Sequence, residues 1–323
     1  MSFNLQNIVR QHILSLAPYS SARDEYTGKE GIFLDANENP LGSVTPENWN
    51  RYPDPYQVDI KDKIAPIKGC RPSQIFLGNG SDEPIDLIIR LTCEPKEDNI
   101  IILPPTYGMY EVSASVNNVE IQKIPLTTDY QLDTQKIITS INSKTKLIFI
   151  CSPNNPTGSV YTETELRAIG AIVAKHPTVF IMADEIYEYI NFTEEGHFSI
   201  GTIPEIKNQV ITVNGVAKGH AMTGWRIGFM AAAKWIAEGV EKLQGQVTSG
   251  TNSIAQKAAV AAFNGPLDEA YKMKEAYDRR RKLVVGMLRE IPGFKVNMPD
   301  GAFYAFPDIS YYFGKSDGKT LIK

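Results

Sequence analysis

The sequence predicts an α/β protein with a mostly parallel central sheet covered by helices on both faces, followed by a smaller α/β unit. Three observations carry this. Short apolar runs alternate regularly with longer segments whose apolar residues recur at helical spacing. A glycine turn, Gly78-Asn79-Gly80-Ser81, joins one of those runs to a helix, and Ile291-Pro292-Gly293 breaks off a long helical stretch. With 323 residues and 42% apolar content the chain has material for one large domain and a small one.

In chain order, Leu5, Ile8, Val9, Ile13 and Leu14 lie close to helical spacing and predict an arm helix over 4–16, ended by Pro18. A short strand is expected at 32–34 between polar, turn-forming stretches at 18–23 and 35–42. After Arg51-Tyr52-Pro53-Asp54-Pro55 a helix is expected to about 67, a buried strand at 75–77 and a helix over 81–91. Strands at 99–103, 119–124, 147–150, 179–182 and 210–213 then alternate with helices at 107–116, 134–141 and 163–175. Helices follow at 234–243, 253–263 and 267–290, and strands at 294–296 and 302–306 open a second unit that looks incomplete at its C-terminal end. The expected division is an N-terminal arm with part of the small domain (1–42), a large domain (43–290) and the start of a C-terminal small domain (291–323).

The formal net charge of -4 argues against nucleic-acid binding driven by overall charge, and Arg279-Arg280-Arg281-Lys282 reads as a solvated helix face. No run is apolar and long enough for a signal peptide or a membrane span. Cys70, Cys93 and Cys151 lie far apart without metal-ligand spacing, which fits a reducing, cytoplasmic setting and no metal site.

Ligands on sheets of this kind sit at the carboxyl ends of the strands. The loops there hold Ser81, Asp82, Tyr107, Asn155, Asp184, Tyr187, Lys218 and Arg226. The turn at 78–83 aims backbone N–H groups and the positive end of a helix dipole at whatever lies before it, although Ser81 or Asp82 serving as a plain N-cap would give the same pattern. Lys218 sits among small residues with Arg226 eight positions on, which suits one amine bonded to a carbonyl and one guanidinium gripping an anion. Singly, Asn155 could belong to a turn, Asp184 to a strand end and Tyr107 to a core.

Together, the order and content of these motifs resemble the fold-type I pyridoxal phosphate enzymes of the class I and II aminotransferases, over essentially the whole chain. The resemblance implies that Lys218 bonds the cofactor covalently and moves protons at the reacting carbon, and that Asp184 keeps the pyridine nitrogen protonated. Tyr187 and Asn155 would hydrogen-bond the phenolic oxygen and Tyr107 would stack on the ring. The amides at Ser81 and Asp82, with Arg226, would bind the phosphate.

Two subfamilies contribute. From Pro18-Tyr19-Ser20-Ser21-Ala22-Arg23 through Asp35-Ala36-Asn37-Glu38-Asn39-Pro40 to Pro105-Thr106-Tyr107-Gly108-Met109-Tyr110, the chain resembles histidinol-phosphate aminotransferases. There Tyr19 would help hold the substrate phosphate, Asn37 would lie near the substrate, and Tyr52 would reach across a homodimer interface to the partner's cofactor phosphate. From about Val160, Asp184-Glu185-Ile186-Tyr187, Asn214-Gly215-Val216-Ala217-Lys218 and Met222-Thr223-Gly224-Trp225-Arg226 resemble bacterial aspartate aminotransferases. The chain thus reads as a hybrid joined at the shared Asn154-Asn155-Pro156-Thr157-Gly158. The expected reaction moves an amino group from histidinol phosphate, or alternatively aspartate, to 2-oxoglutarate. Family members carry a carboxylate-binding arginine near the end of the small domain, whereas the last arginine here is Arg289. Part of that domain is therefore expected to be absent, which leaves a catalytically impaired, cofactor-binding fragment as a further alternative. A pyridoxal phosphate decarboxylase or lyase would share every cofactor residue.

Overall fold

The computed structural model describes residues 5–19, 38–39, 41–47 and 49–316. The predicted strand at 32–34 and the candidate Asn37 lie outside the described residues.

A seven-stranded sheet organises the chain, in the order β1-β7-β6-β5-β4-β2-β3. The strands are β1 (Ile75–Asn79), β2 (Asn99–Ile102), β3 (Glu120–Lys123), β4 (Thr145–Cys151), β5 (Phe180–Asp184), β6 (Val210–Gly215) and β7 (Ile227–Ala231). Neighbours from β3 through β6 pair in parallel, and β7 alone runs antiparallel, between β6 and β1. The helices are α1 (Gln11–Ser15), α2 (Val58–Ile67), α3 (Asp82–Thr92), α4 (Met109–Val116), α5 (Thr134–Ser140), α6 (Glu163–Val173), α7 (Lys234–Gly245), α8 (Ser253–Asn264) and α9 (Asp268–Arg289).

Side chains alternate across a strand, so the sheet feeds two layers. Phe76, Phe149, Met182 and Met230 pack on one face with Ile13 of α1, Ile88 of α3, Tyr110 of α4 and Ile236 of α7. Ile148, Ile150 and Ile181 face the other way, against Ile137 of α5 and Ile169 of α6. On that same side of the sheet's far half, Ile75, Leu77 and Phe229 meet Ile60 and Ile64 of α2 and Ala259 of α8. Each fully buried Ile or Phe of these layers contributes about 2 kcal/mol of transfer free energy. Local signals support the helices: Thr162 and Glu165 close a capping box on α6, and the Asn252 side chain caps α8.

Three expectations need correction. Strand β7 was not foreseen, because Gly228 weakens its strand signal. That glycine is what lets the strand approach β1, since a Cβ there would lie 2.3 Å from the Ser81 nitrogen. The strands expected at 294–296 and 302–306 are not formed. They reduce to the isolated bridges Lys295–Asp308 and Asn191–Gly301, in a stretch interrupted by Pro299, Gly301, Pro307 and the left-handed Ala302 (φ 56). The predicted arm helix is a 3-10 turn (Leu5–Asn7) followed by the short α1.

Candidate active site

The carboxyl ends of β1, β4, β5 and β6 open on one cleft of about 160 Å³, lined by Ser81, Asp82, Tyr107, Asn155, Asp184, Tyr187, Lys218 and Arg226. Every residue expected to touch the cofactor from within this chain is therefore brought together. Strand β7 explains how Arg226 joins them: running antiparallel, it begins at the end of the sheet where its neighbours finish.

Asp184 ends β5 and is 3% exposed. It accepts hydrogen bonds from the Tyr110 hydroxyl at 2.7 Å and the Ile186 amide at 3.2 Å. Burial pushes its pKa up to about 6; those two bonds oppose the shift, and the charges of Asp82 and Glu185 add to it. Among the described residues this carboxylate has no ion-pair partner, and a protonated ring nitrogen would supply a countercharge.

At the β1–α3 junction, Gly80 has φ +82 and leaves room for the Arg226 guanidinium, whose Nη2 is 2.5 Å from where a Cβ would stand. Arg226 contacts Asp82 at 3.5 Å and the Thr223 carbonyl at 3.4 Å. Ser81 does not cap α3 with its hydroxyl, so the helix presents its positive end to the cleft beside a cation. An anionic group such as a phosphate ester fits this corner.

Lys218 lies just past β6, with its Nζ 5.8 Å from the Tyr187 ring centre and 5.7 Å from that of Phe303. The Tyr187 hydroxyl meets that of Tyr304 at 2.5 Å. Tyr107 donates to Asp82 at 3.0 Å and stands edge-on to Tyr110. The loop carrying Asn155 is held by its buried neighbour Asn154, which accepts from the Thr157 amide and hydroxyl.

Other candidates lie elsewhere. Tyr52 is 67% exposed and lines a separate cavity with Arg51 and Lys257. Tyr19 is 61% exposed and approaches Gly245. Arg289 donates to the Val296 carbonyl and does not line the cleft. Sequence reasoning missed Tyr110, Cys151 and Tyr304. Tyr110 lies one helical turn beyond Tyr107, a spacing that could have flagged it.

Behind the cleft, Glu185, Glu188 and His197 bring potential ligand atoms within 4.8 Å of one another. Lys68 occupies both Glu188 oxygens at 2.6 and 2.7 Å, and Ser199 donates to Glu185. His197 Nε2 lies 3.1 Å from Glu185 at an angle poor for a hydrogen bond. Desolvation acts to lower the imidazole's pKa, and the two glutamates outweigh it and raise it.

The model of the family described as aminotransferase class I and II matches residues 29–319. The chain belongs to the class I and II aminotransferases. It is 44% identical to the histidinol-phosphate aminotransferase of Cytophaga hutchinsonii over 81% of this chain and 73% of that protein. Its identity to the enzyme of the same name from Bacteroides thetaiotaomicron is 40%, over 80% of this chain and 71% of that one. Among solved structures, the aspartate aminotransferase of Rhizobium meliloti matches with a TM-score of 0.74 at 29% identity, over 80% of this chain and 66% of that chain. The aspartate aminotransferase of Thermotoga maritima matches with 0.74 at 28%, over 81% and 72%.

This aminotransferase thus has the fold-type I architecture, and its family uses pyridoxal phosphate to exchange amino groups between amino and keto acids. The residues present fit that cofactor: a buried carboxylate with no ion-pair partner among the described residues for the ring nitrogen, a glycine-made corner for the phosphate, and a lysine amine lining the same cleft. No helix among the described residues is long and apolar enough to cross a membrane.

Proposed function

We propose that this aminotransferase takes the amino group of histidinol phosphate and delivers it to 2-oxoglutarate. The observation that carries the donor is the match to histidinol-phosphate aminotransferases. At 81% of the chain, the match to the Cytophaga hutchinsonii enzyme must include Lys218 as well as much of the N-terminal half.

The roles follow from the chemistry of each group. Pyridoxal phosphate, when bound, supplies a ring that accepts the electron pair left when the donor's α-proton departs. Lys218 holds the cofactor and then takes and returns protons at the reacting carbons. Asp184 holds a proton on the ring nitrogen. Tyr187 and Asn155 hydrogen-bond the phenolic oxygen, and Tyr107 covers the ring face. The Ser81 and Asp82 amides with Arg226 bind the phosphate. Tyr19 and Asn37 serve the substrate.

A homodimer is part of this reading, with Tyr52 completing the neighbouring site; its 67% exposure leaves it available to a partner. So is the division into an arm (1–42), a large domain (43–290) and the start of a small domain (291–323). Three free cysteines favour a cytoplasmic setting.

The decisive test adds pyridoxal phosphate, then each donor separately. A visible band that is lost in Lys218→Ala and bleaches with histidinol phosphate supports the reading. Bleaching by aspartate alone selects the second reading, aspartate transamination, favoured by the aspartate aminotransferase folds. A band that neither donor bleaches leaves a cofactor-binding protein without transamination of either donor. No band sinks the cofactor site.

A further inference from the structure

The C-terminal segment enters the cleft as well, and nothing in the roles above uses it. Its path is fixed by backbone pairing: the Asp300 and Gly301 amides donate to the Gly158 carbonyl at 2.9 and 2.8 Å, and Ala302 donates to Ile190 at 2.7 Å. Phe192 returns a bond to the Asp300 carbonyl at 2.7 Å, and Arg281 donates to the Pro299 carbonyl. The fit is close, since a Cβ on Gly301 would stand 2.5 Å from Pro153 and one on Gly158 would stand 2.4 Å from Pro299. This strap delivers Phe303 and Tyr304 to the Lys218 side of the cleft. There Tyr304 packs on Tyr187 and Phe303, with ring centres 5.7 and 4.9 Å apart.

The geometry points to Tyr304 as a positioning residue that acts through Tyr187, its hydroxyl orienting and polarising the Tyr187 phenol. The inference rests on the reading that pyridoxal phosphate binds in this cleft. A phenol has one proton to donate and lone pairs with which to accept. If Tyr187 gives its proton to the cofactor's phenolic oxygen, it accepts from Tyr304, and the 2.5 Å separation of the hydroxyls fits that arrangement. Hydrogen bonds in such a chain strengthen one another, so Tyr187 donates more strongly with Tyr304 behind it. Stronger donation draws electron density from the ring oxygen and lowers its hold on the proton it shares with the lysine-derived nitrogen. Removing the Tyr304 hydroxyl should therefore keep that proton bound to higher pH.

The test uses the pyridoxal phosphate-loaded protein and the pH midpoint of its visible absorbance change, with no substrate present. Tyr304→Phe should raise the midpoint by about half a pH unit while the cofactor stays bound. Tyr187→Phe should raise it further, and the double variant should match Tyr187→Phe alone, because Tyr304 acts through that phenol. Tyr311→Phe, in the same C-terminal segment and outside the cleft, should leave it unchanged. An unmoved midpoint in Tyr304→Phe, additive shifts in the double variant, or an equal shift in Tyr311→Phe would each overturn the inference. A wild-type protein that gives no visible band with the cofactor refutes the underlying site instead.

Discussion

Tyr110 donates its hydroxyl hydrogen bond to Asp184 Oδ2 at 2.7 Å, joining a fully buried helix residue to the buried carboxylate at the end of β5. Asp184 has few donors, so each one matters to how readily it ionises.

Tyr110→Phe keeps the ring and deletes this donor. The carboxylate is then buried with one bond fewer, which should cost about 1–3 kcal/mol and raise the Asp184 pKa further. Urea unfolding of the cofactor-free protein at pH 8 measures the loss, and a difference under about 0.5 kcal/mol would count against it.

Asp184 itself should make stability depend on pH. Its folded-state pKa, about 6, lies above the ordinary 3.8. Its favourable contribution is therefore complete below the lower value and is lost as pH rises through the upper one. The full loss is about 3 kcal/mol, of which about 1 kcal/mol falls between pH 5 and 7. Asp184→Asn removes this dependence. Unfolding free energies of both cofactor-free proteins at pH 5 and 7 should show the variant gaining on the wild type by that amount.

Gly80→Ala tests the phosphate corner. The positive φ costs about 1 kcal/mol, and the methyl group meets the mobile end of Arg226, which must swing away. The fold should survive while pyridoxal phosphate binds about tenfold more weakly by fluorescence titration. Unchanged affinity would remove Arg226 from the proposed phosphate site.

Gly158→Ala should act on the strap. Here the obstacle is the Pro299 ring and the Gly301 carbonyl at 2.8 Å, neither of which can rotate aside, and φ is +72. A loss of about 2–3 kcal/mol is expected by thermal unfolding, together with faster proteolysis near residue 300. A stable, protease-resistant variant would mean that the strap is not clamped there.

Most of the sheet and most of the residues that line the cleft were legible because their signals are local. Asp184 ends an apolar strand, Asn155 and Lys218 lie within a few residues of the ends of two others, and a residue just past a parallel strand faces the ligand end of the sheet. Tyr110 and Tyr304 were hidden because their partners are distant in sequence: one bonds a residue on β5, and the other depends on a strap pairing with Gly158 and Ile190. Gly228 hid β7 for a related reason. A glycine weakens a strand signal unless the neighbour that demands it is known, and that neighbour is the Gly80–Ser81 backbone.

The pairing of β1 with β7 also bears on how the chain is made. β1 is an early strand of the sheet, and its one sheet neighbour among the described strands is β7, the last. On the ribosome, Ile75–Asn79 emerges long before Ile227–Ala231 and waits with an open, apolar edge through the synthesis of everything between. The corner formed by Gly80, Ser81 and Arg226, the proposed phosphate site, closes only when that late strand arrives. Any phosphate bound at that proposed site must load after it, and a chain arrested before Arg226 would expose the very edge that the finished protein covers.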